Sequence, residues 1–489
     1  MVWAAPGAPS GPCEDHSLFS SMPSAYLTSA RVDPICVRIG VDHFRLSIGV
    51  ADPQVVSMSM TTQGRILYQD MPASSVELFD DGSHGDALAG DGVFSLDELS
   101  PAQTPGTKGA LIIRFVDMTF RYADDHEETS NEDLGLTLHY MAASTPIPSF
   151  VDLAPDARAT RFVVNVVAPL QGDFPGHFVE SEIVSRRYYE LFPDESDFLM
   201  IARPFNTNGF AASFRHVRND ILGIGLEAID DSAEFGSAGA LQGVVSIYFG
   251  NVWPGTLNHE LLHRWAAFLN PSLNLTGSGG HWGAIAAGAS GLGGNAAYAG
   301  SFDAIEHVSG NLYRASVEGI GTFNNLELYL MGLRGIDDVQ SPIAALVNPV
   351  FQGYQSEYVL YAADSLRMVF TQEIVTVEGT RIPNHFDSPK LFRSAMVVAY
   401  DRPLNGIELA YYDYAMREYQ KESSVLGVTF AEATGHRASI STALPCVQGM
   451  SAVNCTSIPA VEGKGLAVIL VSLLVAGACI ILKNSQRMN

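Results

Sequence analysis

The segment GVVSIYFGNVWPGTLNHELLHRWAAFL, Gly243–Leu269, decides how this chain is read. Its first eight residues are an apolar run bounded by glycines and predict a buried strand. Pro254 and Gly255 then open a helix, which Asn270-Pro271 stops. Within it, Asn258-His259-Glu260-Leu261-Leu262-His263 contains the pattern H-E-x-x-H. Positions i and i+4 leave a helix on one face, so both imidazoles can reach one Zn2+ ion. Glu260 is placed to take a proton from a water beside that ion as attack on a carbonyl begins. Leu261, Leu262, Trp265, Ala266 and Leu269 continue an apolar face. Burying two histidines and a glutamate on such a helix without a metal would be costly.

A third ligand has to come from elsewhere. The glycine and histidine that would extend the motif to H-x-x-G-x-x-H are replaced by Ala266 and Leu269. His281, in Gly279-Gly280-His281-Trp282, is the nearest downstream histidine, and the glycines before it would let a loop fold back beneath the helix. Glu327, in the helical pattern NNLELYLMGL, is the alternative, with Glu306 and His307 behind it. Tyr329 or Tyr298 could serve an oxyanion, and nothing in the sequence chooses between them.

HELLHRW, the downstream GGHWG and LELYLMGL together resemble the zincin clan of zinc metallopeptidases. The likeness is to a secreted or surface-bound prokaryotic group distantly similar to immune inhibitor A-type peptidases, and it spans roughly residues 160–444. It implies hydrolysis of peptide bonds through a zinc-activated water, with His259, His263 and a third residue as ligands and Glu260 as general base. The alternative is a catalytically inactive zincin-like surface adhesion or binding protein. The intact Glu260 speaks for the enzyme, since decayed enzymes commonly lose the base. A metal-dependent hydrolase of non-peptide substrates is a third reading.

A chain of 489 residues exceeds one compact core. With 47% hydrophobic and 17% charged residues it has a folded protein's composition. Its 53 acidic against 28 basic side chains give a formal charge of −25, which repels phosphate backbones and argues against nucleic acid as a partner. From Cys36 onward, short runs alternating at period two predict an antiparallel β-sandwich ending near Met141. One of its loops, DDGSHGDALAGDG (Asp80–Gly92), resembles a loop of β-sandwich modules in secreted and surface-anchored prokaryotic proteins. Asp80, Asp81, Asp86 and Asp91 interleaved with glycines could wrap Ca2+, though Asp-Gly is equally an ordinary turn former.

Near the C-terminus, GLAVILVSLLVAGACIIL (Gly465–Leu482) is uncharged, spans roughly 27 Å as a helix and is bracketed by Lys464 and Lys483. It predicts a single membrane helix, with the short tail cytoplasmic and the bulk of the chain extracellular or periplasmic. The first residues, MVWAAPGAPSGPCEDHS, show neither a basic n-region nor an apolar stretch, so no signal peptide is read there. Cys13 and Cys36, and Cys446 and Cys455, could form two local disulfides suited to an oxidising compartment; inert thiols are the other reading.

The expected organisation is multidomain: a flexible leader (1–32), an all-β sandwich module (33–142), an α+β zincin-like metallopeptidase domain (143–444), a stalk (445–463), a transmembrane helix (464–483) and a tail (484–489). The expected partners are a protein or peptide substrate and the membrane, and the expected cofactors are Zn2+ and, at the acidic loop, Ca2+.

Overall fold

The computed structural model describes residues 27–62, 75–100, 108–113, 116–132, 134–172, 178–205, 212–248, 250, 252–292, 300–316, 321–356 and 358–447. Residues 1–445 form one compact unit, and residues 446–489 form a second, of which only 446 and 447 are described.

The N-terminal third is built from alternating strands. Leu27–Asp33, Phe44–Val50 and Val93–Leu99 make one antiparallel sheet, and Ser75–Leu78, Val55–Thr62, Val116–Tyr122 and Glu127–Glu132 make another. Val116, Met118, Phe120 and Tyr122 are buried while the residues between them are not, the period-two pattern of a strand with one covered face. Leu27–Asp33 begins inside the stretch assigned to the leader, yet it pairs with Phe44–Val50 from Leu27↔Val50 to Asp33↔Arg45. A third sheet joins Cys36–Arg38, Leu136–Met141 and Lys108–Ile113.

The centre of the molecule is an eight-stranded mixed sheet. Val163–Val167, Leu391–Tyr400, Phe198–Arg203 and Gly243–Tyr248 run parallel, and Ala212–His216 closes one edge antiparallel. All six residues of FLMIAR (Phe198–Arg203) are buried, as expected of a parallel strand covered on both faces. Among the described residues, six helices pack around the sheets: α1 (Ser181–Leu191), α2 (Pro254–Leu262), α3 (Asn325–Met331), α4 (Thr371–Glu378), α5 (Gly406–Tyr419) and α6 (Phe430–Ala433).

The sandwich and the central sheet are tied by buried charge. Arg402 bonds both Asp33 at 2.5 Å and the fully buried Glu408 at 2.7 Å, and Glu408 also accepts from the Ile35 backbone at 2.9 Å. Glu408 caps α5 through the Asn405 backbone as well, so one carboxylate serves both the helix end and the junction.

Two expectations are corrected here. Among the described residues strand outweighs helix, 39% against 17%, which does not support an α+β zincin domain with a C-terminal transmembrane helix. Residues 284–369 account for much of the difference. Apart from α3 they form two four-stranded sheets: one from Gly300–Phe302, Ala284–Ala286, Ile343–Val347 and Ser365–Val369, the other from Ile305–Ser309, Leu312–Ser316, Tyr358–Ala362 and Val350–Gln355. Short β-branched and aromatic runs such as YVLYA pair across strands, and periodicity alone does not separate them from helical or loop segments. Localisation changes with the fold. None of the described helices is long and apolar enough to cross a membrane. The longest, α5, has 14 residues, a rise of about 21 Å. The run 464–483 lies outside the described residues, and a membrane-anchored extracellular or periplasmic placement is not carried further.

Candidate metal centre

Helix α2 follows the strand Gly243–Tyr248 with Pro254 at its first turn, where a missing N–H costs nothing. Leu257, Leu261 and Leu262 are buried, and Asn258 fastens the helix from the side. Its amide donates to the Val428 carbonyl at 2.8 Å, and its oxygen accepts from the Tyr419 hydroxyl at 2.7 Å. The helix ends at Leu262, earlier than Asn270-Pro271 suggests: the amides of His263, Arg264 and Trp265 bond three residues back, and the chain then turns through Ala267 in the left-handed region at φ 68°. His263 still has helical backbone (φ −57°, ψ −16°), so His259 and His263 keep the one-face geometry of i and i+4. Beyond the turn, Trp265 packs edge-on against Phe198 and Phe392, anchoring the motif to the central sheet.

His281 arrives on a tight loop. A bridge between Thr276 and Trp282 and a bond from the Gly277 amide to the His281 carbonyl (2.8 Å) close it. Gly279 and Gly280 take φ 65° and 73°, conformations that favour glycine. A Cβ on Gly280 would lie 3.2 Å from Nδ1 of His263, so the absent side chain is what lets the loop approach the helix. The outcome is that His259, His263 and His281 each present a ring nitrogen, all within 4.8 Å of one another. Nε2 of His259 and Nε2 of His281 are 3.1 Å apart.

The electrostatics suit a cation. The Gly291 carbonyl, 2.9 Å from Nδ1 of His259, can only accept, which fixes the proton on Nδ1 and leaves Nε2 a lone pair. Burial pushes the His259 pKa down to about 4, with the His281 ring adding to the shift. Burial also holds His263 well below, and His281 below, the ordinary histidine value. Neutral imidazole is the form that binds metal. Glu260 is 5% exposed, and burial without any compensating donor raises its pKa to about 8. A divalent cation beside it would reverse that logic by favouring the carboxylate. The fit to zinc therefore rests on donor chemistry: three neutral nitrogens converge, and the buried Glu260 of the same motif accepts no hydrogen bond among the described residues.

Compared with known proteins, the chain matches no family model, no curated protein and no solved structure.

Glu327 lies behind the cluster rather than in it. It is fully buried at the start of α3 and accepts from Nε1 of Trp282 (2.9 Å), from Ser290 Oγ, from the Gly291 and Leu292 amides (3.3 Å each) and from the Asn324 amide (2.9 Å). Trp282 follows His281 in the chain, and Gly291 holds His259, so one carboxylate braces two of the three histidines. Burial raises its pKa while these donors pull it down. Ser290, Gly291 and Trp282 in this bracing role escape a reading by residue type. One signal pointed to it: Asn324-x-x-Glu327 is a capping box, in which the glutamate turns back to the helix start. Gly291 is also sterically required, since a Cβ there would meet the Phe323 ring at 2.5 Å.

The other candidates sit apart. Glu306 pairs with Arg314 at 2.6 Å and His307 is exposed on the same strand. Tyr329 is buried with Arg381 acting on its hydroxyl, and Tyr298 lies outside the described residues. In the acidic loop, carboxylate oxygens of Asp80, Asp86 and Asp91 come within 4.8 Å of one another. Asp81 is not in that group and turns to Ser83 and His84. Cys36 is buried and Cys446 exposed; the other halves of both expected disulfides, Cys13 and Cys455, lie outside the described residues.

Proposed function

We propose that this chain is a zinc-dependent hydrolase of peptide bonds, with His259, His263 and His281 as ligands and Glu260 as general base. The observation that carries the reading is the convergence of three neutral imidazoles, two of them flanking the buried Glu260 in the motif. Zinc, when bound, supplies the Lewis acidity that makes water acidic near neutral pH and polarises a carbonyl. Glu260 then takes one proton from the attacking water as the new C–O bond forms, and delivers it to the amine as the C–N bond breaks. The histidines act as fixed neutral donors, and Asn258, Gly291 and Glu327 keep them in place.

Metal analysis of the full chain, with His259→Ala and His263→Ala, tests the metal, and cleavage of casein or a peptide library tests the reaction. Equal zinc content in all three proteins ends the metal reading. Zinc binding without hydrolysis of any peptide leaves the binding-protein alternative in its place.

A further inference from the structure

A second cavity lies behind the C-terminal end of α2, on the side of Arg264 and Trp265. It is a partly open pocket of about 470 Å3 lined by Arg264 and Arg381, with Arg218, Asp197, Asp220 and Asp387 completing its charged groups. Arg264 is 1% exposed and Arg381 3% exposed. Neither guanidinium has a carboxylate within 4.0 Å among the described residues. Arg264 donates from Nε to Gln242 Oε1 (3.2 Å) and from Nη1 to Asn219 Oδ1 (2.9 Å). Arg381 donates from Nε to the Leu330 carbonyl (2.8 Å) and from Nη1 to the Pro383 carbonyl and Ser388 Oγ (2.7 Å). All of these acceptors are neutral. Among the described residues, Nη2 of each arginine has no hydrogen-bond partner, so two largely buried side chains keep unspent donors at one partly open pocket.

A buried charge without a counter-charge is expensive, and removing both from water is tolerated only where something compensates. The nearby carboxylates are already engaged. Asp220 pairs with Arg218 at 3.1 Å, and Asp387 accepts from Asn384 at 2.8 Å. Asp197 accepts from Gln242 Nε2 and from the Arg393 amide, each at 2.8 Å. Asp220 and Asp197 act on Arg264 without forming an ion pair to it, which leaves Nη2 of both arginines for an anion from outside the chain.

We propose that this cavity binds a small oxyanion, of the carboxylate or phosphate class, between Arg264 and Arg381. Planar guanidinium forks suit an acceptor with two or more oxygens, and the pocket's volume falls in the range of small-ligand sites. The position has a consequence for the metal centre. Arg264 directly follows His263, and Arg381 holds the Leu330 carbonyl on α3, the helix that carries Glu327. A bound oxyanion would link the ends of the two helices that present and brace the histidines. The proposal is independent of the zinc reading, because it uses none of the histidine nitrogens.

The test is calorimetric titration of the full chain, stripped of metal and dialysed, with inorganic phosphate and separately with succinate. Saturable binding of one anion per chain is expected, and the arm that binds more tightly identifies the source. Arg381→Lys keeps the charge but loses the fork, and should weaken binding about tenfold or more. Asp220→Asn, an exposed change that does not threaten folding, should tighten binding by freeing Arg218. No saturable binding of either anion to the wild type overturns the proposal. So does binding that Asp220→Asn fails to tighten, even if Arg381→Lys does not fold.

Discussion

The histidine cluster and the acidic loop invite comparison, because each brings three ligand-capable side chains within 4.8 Å. Their remaining lone pairs separate them. In the acidic loop, Asp80 accepts from the Gly90, Asp91 and Gly92 amides, Asp86 from those of Gly82 and Leu88, and Asp91 from that of Val93. These bonds build the turn that brings the carboxylates together, while Oδ2 of Asp91 takes part in none of them. In the histidine cluster the backbone takes the far nitrogen of His259 and leaves the near one open. Proximity of ligand atoms is thus a weak criterion, and unspent lone pairs held by outside partners are a strong one.

That contrast can be broken most sharply at His281. His281→Ala in the full chain should lower zinc affinity by several orders of magnitude, read by titration against a competing chelator. If affinity is kept, the cluster is only a packing arrangement and the contrast disappears. Glu260→Gln should retain zinc while losing about 10²–10⁴-fold in peptide hydrolysis, since the amide keeps the shape without the basicity. Undiminished cleavage would move the base elsewhere. Glu327→Gln should cost about 10–100-fold in zinc affinity or activity, because an amide cannot accept from all the donors that Trp282, Ser290, Gly291, Leu292 and Asn324 direct at it. A loss as large as that of His281→Ala would make Glu327 a ligand rather than a brace. The smallest effect is expected at the acidic loop. Asp80→Asn should cost about 1 kcal/mol of stability, measured by denaturant unfolding, in calcium-free buffer and with calcium alike. A cost that appears only with calcium present would make the loop a site of the same kind as the histidines.

Legibility followed the range of the interactions. H-E-x-x-H works through neighbours on one helix face, so His259, Glu260 and His263 could be read from spacing. His281 was reachable because Gly279-Gly280 advertises a loop able to approach closely. Glu327, the alternative third ligand, was legible by its charge, while its bonds to Asn324, Trp282 and Ser290 depend on the capping box and on distant segments. The acidic loop was read from composition, which shows oxygens and not what already bonds to them. The β-rich character of 284–369 was missed because strand pairing depends on partners far along the chain, such as Ile285↔Ala345 and Tyr313↔Tyr361.

By itself the sequence determined the motif helix, the buried strand before it, the alternating strands of the N-terminal third and the charge balance. All of these depend on residue type at short, fixed spacing. Only the tertiary structure decided that His281 meets the motif, that Glu327 stands behind it, that the sandwich is fastened through Asp33, Arg402 and Glu408, and that Arg264 and Arg381 share a cavity. These pairings join residues from different elements, up to 369 positions apart in the case of Asp33 and Arg402. What holds them is burial, which makes each polar group demand a partner wherever in the chain one can be found.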